Sequence, residues 1–66
     1  MISYAPLWKT LERKGISQYE LITKYHISTG TLDSFRKNKS TTLATINDLC
    51  EIIDCDIADV VEIIRK

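Results

Sequence analysis

The chain has 66 residues, 44% of them apolar, and a formal net charge of zero. A chain this short predicts one domain over residues 1–66, because a smaller unit could not bury a stable core. It contains no apolar run near the roughly 18 residues of a membrane span, and its first residues lack the basic and apolar regions of a secretory signal. We therefore expect a cytoplasmic protein with no membrane partner.

The first predicted helix begins near Pro6, whose fixed φ and missing N–H are tolerated in a first helical turn. Leu7, Trp8 and Leu11 then line one face, and Gly15 is a typical residue just past a helix end. We expect Trp8 to pack in the core together with Leu11, although an aromatic residue of this kind can also belong to an interface.

Capping signals predict the next two helices. Ser17 followed three residues later by Glu20 forms a capping box, so the second helix begins at Gln18. Ser28 is placed to cap a third helix that begins at Thr29, because its hydroxyl can accept from a backbone N–H of the first turn.

Two further helices are predicted in the second half of the chain. Thr42 is a plausible cap for a fourth helix, whose apolar residues recur at helical spacing: Leu43, Ile46, Leu49, Cys50 and Ile53. Asp56, with Asp59 three residues later, predicts a fifth helix from residue 57 to about residue 64. No strand-like alternation flanked by turn signals is present, so the fold class is expected to be all-α.

The charges are segregated along the chain. Up to Lys39 the acidic residues are only three, and the basic residues predominate: Lys9, Arg13, Lys14, Lys24, Arg36, Lys37 and Lys39 against Glu12, Glu20 and Asp33. Beyond Lys39 the balance reverses: Asp48, Glu51, Asp54, Asp56, Asp59 and Glu62 against Arg65 and Lys66. The basic part favours a polyanionic partner, whereas the acidic part is also typical of a solvated surface.

The connection between the second and third helices is very short and spans only residues 25–27. So tight a link is expected to make the two helices cross steeply. The outer face of the third helix is then small and polar: Thr29, Gly30, Asp33, Ser34 and Lys37. Such a face suits insertion into the DNA major groove. An ordinary pair of antiparallel helices with a polar exterior is the alternative interpretation.

Metal binding and catalysis have little support in the sequence. His26, Cys50 and Cys55 fall short of the four ligands of a structural zinc site, and both cysteines occupy positions typical of a core. A disulfide between them is not expected in a reducing cytoplasm. The sequence has a lone histidine, no glycine-rich phosphate loop and no nucleophile motif. We therefore expect that the protein is not an enzyme and that it binds no cofactor, metal or small-molecule ligand.

Taken together, these residues resemble the Cro/CI-type (Xre-like) helix-turn-helix transcriptional regulators, and in particular a subgroup of very small members. The resemblance covers almost the whole chain. It rests on Gly15-Ile16-Ser17-Gln18 with Glu20-Leu21, Ile27-Ser28 with Thr31-Leu32, the basic Arg36-Lys37-Asn38-Lys39, Thr42-Leu43 with Ile46, Leu49 and Cys50, and the flanking Tyr4, Pro6-Leu7-Trp8 and Cys55-Asp56-Ile57 with Asp59-Val60-Val61-Glu62.

The resemblance implies a five-helix, lambda-repressor-like DNA-binding domain whose helices two and three form the helix-turn-helix. It implies that residues 29–37 are the recognition helix and read base edges through four residues: Thr29, Gly30, Asp33 and Ser34. It further implies that double-stranded DNA phosphates are bound by six residues: Gln18, Ser28, Arg36, Lys37, Asn38 and Lys39. Backbone N–H groups of the loop after the recognition helix would add to these phosphate contacts.

Three residues depart from the pattern of the family. Gly30 offers no side chain to a base, and Asp33 places an acid on the face that would meet DNA. His26 occupies the turn where the family usually has glycine, a position that tends to require a positive φ.

Two further expectations concern partners. The predicted C-terminal helix has more apolar side chains than one small core can bury: Ile57, Val60, Val61, Ile63 and Ile64. This helix is therefore the candidate homodimer surface. The alternative function is a protein-interaction module, accessory or antitoxin-like, that uses the acidic C-terminal half of the same scaffold.

Overall fold

A computed structural model describes residues 1–65 and contains four α-helices, a short 3₁₀ turn and a two-stranded ladder. The elements are β1 (Ile2–Ser3), α1 (Ala5–Lys14), α2 (Gln18–Thr23), α3 (Thr29–Arg36), α4 (Leu43–Ile53), the 3₁₀ turn Ile57–Asp59 and β2 (Glu62–Ile63). None of the helices in the described residues is long and apolar enough to cross a membrane.

The predicted start signals lie where the helices begin. Ser17 Oγ accepts from the Glu20 N–H at 3.1 Å, and the Glu20 carboxylate accepts from the Ser17 N–H at 3.3 Å, which completes the capping box of α2. Thr42 caps α4 in the same way as Ser28 caps α3, through a side-chain oxygen and a first-turn N–H. The predicted starts of the second, third and fourth helices are therefore confirmed.

Helix α1 ends just before Gly15, as the sequence predicted. Gly15 has φ +69°, and the Ile16 N–H returns to the Leu11 carbonyl at 2.9 Å, so the chain leaves the helix through a left-handed residue. Pro6 lies in the first turn of the helix.

The predicted fifth helix is wrong: residues 1–65 contain four α-helices, and the fold is mostly helical with a short ladder where the fifth helix was expected. After the 3₁₀ turn the chain extends, and β2 pairs antiparallel with β1, with Ile2 opposite Ile63 and Ser3 opposite Glu62. The Ile64 N–H and the Met1 carbonyl extend the ladder by a bond of 2.7 Å. The β-branched residues of this segment favour extended backbone over helix, and the N-terminal strand supplies their hydrogen-bond partners.

One hydrophobic core lies between the helices and is closed by the two chain ends. Its buried members come from all four α-helices and from two residues outside them, Tyr4 and Val60; the helical ones are Leu7, Leu11, Leu21, Leu32, Phe35, Ile46, Leu49 and Ile53. Trp8, Cys50 and Cys55 are half-buried and pack against this core, as their positions in the sequence predicted. The buried Thr10 hydroxyl donates to the Asp59 carbonyl at 2.7 Å and so fixes the 3₁₀ turn on α1.

Candidate nucleic-acid interface

The turn between α2 and α3 holds the two helices in a fixed relation. His26 has φ +60°, the left-handed conformation expected at this position, and the Ile27 N–H returns to the Leu21 carbonyl at 2.9 Å. Leu21 and Leu32 are fully buried on either side of the turn. Because the turn and both helices pack on the same core, α3 is held rigidly relative to α2.

Helix α3 buries one side and leaves the other open. Leu32 and Phe35 are buried, whereas the side that bears Thr29, Gly30, Asp33 and Ser34 is exposed or half-exposed. We call these four residues the reading face. A Cβ added at Gly30 would meet nothing within 4 Å, so no other element among residues 1–65 covers this position.

Two polar groups of the reading face already have partners within the helix. The Ser34 hydroxyl donates to the Gly30 carbonyl at 3.1 Å. Asp33 forms an ion pair with Lys37 one turn later, with 3.0 Å between the ammonium and the carboxylate oxygen. The hydrogen bond from Lys37, and then its positive charge, hold the pKa of Asp33 below its usual value. Asp33 is therefore a carboxylate whose charge is partly neutralised by its own helix.

The basic segment, Arg36–Lys39, follows the reading face directly and is exposed throughout. Asn38 has φ +55°, which ends α3 in a left-handed turn, and its N–H donates to the Phe35 carbonyl at 3.1 Å. The Lys39 N–H donates to the Ser34 carbonyl at 2.9 Å. These two backbone N–H groups, which were expected to contact phosphate, are thus engaged by carbonyl groups at the end of α3.

Arg36 and Gln18 are brought together across the helix-turn-helix. The Gln18 side-chain oxygen accepts from Arg36 Nε at 3.0 Å and from a terminal nitrogen of the same guanidinium. This contact directs the oxygen of the Gln18 amide towards Arg36, and the NH₂ group of Gln18 donates to no other residue among residues 1–65. Two of the six predicted phosphate-binding residues, one from each helix, therefore form a single unit at the edge of α3.

Ser28 is confirmed as the cap of α3. Its Oγ accepts from the Thr31 N–H at 3.1 Å and lies 2.7 Å from the Thr31 hydroxyl. The side chain is exposed at the start of the helix, where backbone N–H groups give a partial positive charge.

A role for Tyr4 was not visible in the sequence, because its partners lie more than 30 positions away. The Tyr4 N–H donates to Asn38 Oδ1 at 3.0 Å, and the Tyr4 hydroxyl donates to the Lys39 carbonyl at 2.7 Å. The Tyr4 ring packs against Phe35 of α3 with 4.8 Å between the ring centroids. One buried residue of the N-terminal segment thus holds the basic segment in place.

Cys50 and Cys55 are free thiols near the end of α4. Burial and the neighbouring Cys50 raise the pKa of the Cys55 thiol to about 11. Across residues 1–65 no group of three or more His, Cys, Asp or Glu side chains is arranged to hold a metal ion.

Comparison with known proteins agrees with this geometry. The structure is similar to the crystal structure of the transcriptional regulator VanUg (form II), with a TM-score of 0.86 and 29% sequence identity over 98% of this chain and 87% of that one. Among curated proteins, none matches the sequence. A family model described as the Cro/C1-type HTH DNA-binding domain matches residues 6–66. Because that match spans nearly the whole sequence, the chain belongs to the family of Cro/C1-type helix-turn-helix DNA-binding domains.

Proposed function

We propose that the protein is a transcriptional regulator that binds double-stranded DNA sequence-specifically, with α3 in the major groove. The observation that carries the proposal is the exposed reading face of α3, held rigidly by Leu32 and Phe35 and followed at once by the basic segment. A helix with small polar side chains can approach base edges closely, and adjacent cations can bind the flanking phosphates.

The proposal divides the site residues into two groups by what they would contact. Base edges are assigned to the reading face: Thr29, Gly30, Asp33 and Ser34. Phosphates are assigned to the residues around it: Gln18, Ser28, Arg36, Lys37, Asn38 and Lys39. The Gln18–Arg36 unit supports the second group, because it presents a guanidinium and an amide NH₂ group side by side at the helix edge.

The salt dependence of duplex binding tests this proposal. Each phosphate that a cation neutralises lowers the slope of log K against log salt by about 0.9. We expect Lys39→Gln to make the slope shallower by about that amount and to weaken binding to all sequences. Lys9→Gln is the matched control, because it removes the same charge from the exposed side of α1. Binding that is insensitive to salt, or equal effects of the two variants, would refute the proposal.

A second copy of the chain is the partner that we propose for the apolar surface beside the basic segment. A groove of about 240 Å³ is lined by Ile2, Tyr4, Thr41, Leu43, Ile46, Ile57, Val61 and Ile63. Leu43, Ile57 and Ile63 are 76%, 51% and 70% exposed, which is unusual for large apolar side chains in so small a protein.

The position of this apolar groove supports a homodimer. Tyr4 contributes to the groove and also holds the basic segment, so the proposed dimer surface adjoins the proposed DNA-binding surface, as a two-fold dimer that binds two half-sites of one duplex requires. The earlier expectation of a helical dimer surface is wrong, because no helix forms at the C-terminal end of the described residues. Its residues Ile57 and Ile63 nevertheless belong to the proposed surface.

The mass of the protein in solution tests the dimer. We expect Leu43→Lys to give a monomer with weaker DNA binding. Tyr19→Lys is the control, because Tyr19 is equally exposed, at 73%, but lies on α2 and does not line the groove. A wild-type protein that stays monomeric on DNA would refute this assignment while leaving the DNA-binding proposal in place.

A further inference from the structure

The reading face offers few side-chain groups that can read a base. Gly30 has no side chain, and the Ser34 hydroxyl hydrogen is donated to the Gly30 carbonyl. Thr29 and Asp33 remain, and of the two only Asp33 carries a charge. Its carboxylate is half-exposed and so is available to a molecule that docks on α3.

An ionised carboxylate only accepts hydrogen bonds, which limits the bases that it can recognise. The donors in the major groove are the amino groups of cytosine and adenine. Adenine carries its N7 acceptor next to the amino group, and that lone pair repels a carboxylate. Cytosine presents the donor with no acceptor on its own major-groove edge. The chemistry of Asp33 therefore selects cytosine over the other three bases.

A carboxylate near DNA must also be protected from the surrounding phosphates. Lys37 supplies this protection, because its ammonium lies 3.0 Å from one carboxylate oxygen of Asp33. The bond engages that oxygen and leaves the other free to accept. It also partly neutralises the charge that phosphates would repel, and an ion pair of this kind strengthens when docking removes water from around it.

We propose that Asp33 determines specificity by accepting a hydrogen bond from a cytosine amino group, and that Lys37 is a positioning residue that orients and neutralises the Asp33 carboxylate. This inference rests on the proposed function, since it requires α3 to lie in the major groove. For Lys37 it replaces the phosphate contact assigned above by a contact with Asp33, whereas Lys39, which forms no ion pair within residues 1–65, keeps its phosphate contact.

The first test measures the base preference of the wild type and of two variants at Asp33. The probes are duplexes selected from a library with a randomised central region, first with the wild-type protein and then with Asp33→Asn and Asp33→Ala. We expect the wild type to prefer cytosine at one position of the site. Asp33→Asn should prefer adenine there, because an asparagine amide bonds to both N6 and N7 of adenine. Asp33→Ala should show no preference at that position. Replacing that cytosine by 2-pyrimidinone, which lacks the amino group, should weaken wild-type binding about 5- to 150-fold, the range for one mismatched base pair, and leave Asp33→Ala binding unchanged.

A double-mutant cycle tests the role of Lys37. We expect Lys37→Gln to reduce the cytosine preference in the wild-type background and to leave base preferences unchanged in the Asp33→Ala background. Lys39→Gln is the matched control, and it should weaken binding to all duplexes equally in both backgrounds. An alternating dA–dT duplex has no cytosine. On this duplex Asp33→Ala should bind more tightly than the wild type, because Lys37 no longer pairs with Asp33 and can bind a phosphate. Its slope of log K against log salt should then be steeper by about 0.9.

Unaltered base preferences in both Asp33 variants would overturn the inference, as would equal behaviour of Lys37→Gln and Lys39→Gln throughout the cycle. Either result leaves the proposed function standing if the wild type still binds duplex DNA with a salt-dependent affinity. A wild type that binds no duplex at all would instead refute the proposed function. Circular dichroism of each variant checks that the fold is kept, as expected for substitutions in an exposed pair.

Discussion

The phenol hydroxyl of Tyr4 donates a hydrogen bond of 2.7 Å to the carbonyl oxygen of Lys39. Through this bond the segment before α1 holds the segment after α3, although the two are far apart in sequence. We expect Tyr4→Phe to lose about 1 kcal/mol of stability, because the hydrogen bond is removed while the ring and its packing on Phe35 are kept. Urea unfolding measures this loss.

The same variant should also weaken DNA binding several-fold, since the basic segment is no longer held in one conformation. Tyr25→Phe is the control: its ring is half-buried and its hydroxyl has no hydrogen-bond partner among residues 1–65. If Tyr4→Phe binds duplex DNA as the wild type does, Tyr4 serves stability alone.

Two left-handed residues should respond in opposite ways to glycine. His26 and Asn38 have φ +60° and +55°, and both therefore carry backbone strain that glycine would relieve. His26→Gly should gain up to about 1 kcal/mol of stability. Asn38→Gly should be destabilised, because it also removes the acceptor of the Tyr4 N–H. Thermal unfolding of the pair measures both changes, and a loss of stability in His26→Gly would show that its side chain contributes more than the strain costs.

Gly30 separates helix stability from DNA contact. Its backbone φ is not positive and a Cβ would meet nothing within 4 Å, so Gly30→Ala should stabilise α3 by up to about 1 kcal/mol. If the backbone of Gly30 approaches the base pairs closely, the added methyl group should weaken DNA binding at the same time. Calorimetric unfolding of Gly30→Ala measures the change in stability, and titration with duplex DNA measures the change in affinity. A more stable protein with unchanged affinity would show that Gly30 does not contact the DNA.

Cys55 should make the protein sensitive to alkaline pH. Its pKa is raised to about 11 by burial, so the folded state keeps the proton that the unfolded state loses above about pH 9. The stability that the neutral thiol contributes is therefore complete below pH 9 and declines as the pH rises towards 11. Cys55→Ala should flatten the decline in unfolding free energy over this range. Slow alkylation of Cys55 by iodoacetamide at pH 8 is the corresponding chemical test, and rapid alkylation would contradict a raised pKa.

The parts of the fold that the sequence predicted are those determined by nearby residues. Ser17, Ser28 and Thr42 cap helices through bonds that span three positions, and Gly15 ends a helix by its own backbone freedom. Such signals are legible because both partners lie within one turn. The ion pair of Asp33 and Lys37 also spans a single turn, but only the structure shows that the two side chains meet.

The C-terminal segment was predicted wrongly because its conformation depends on a distant partner. Val60 is buried as a helical pattern would require, yet Glu62 and Ile63 pair with Ser3 and Ile2 from the other end of the chain. Tyr4 with Lys39, and Arg36 with Gln18, are likewise contacts between elements. Periodicity describes which face of an element is apolar, but it contains no information about what the element will meet.

The pairing of β1 with β2 also affects the order in which the chain folds. The ladder extends to a contact between Met1 and Ile64, which are 63 positions apart, whereas the turn of the helix-turn-helix is closed by residues only a few positions apart. Bringing distant residues together costs more conformational entropy than closing a turn. The ladder is therefore expected to form late and to open first. Because Ser3 precedes Tyr4, each opening of the chain ends would reach the residue that holds the basic segment.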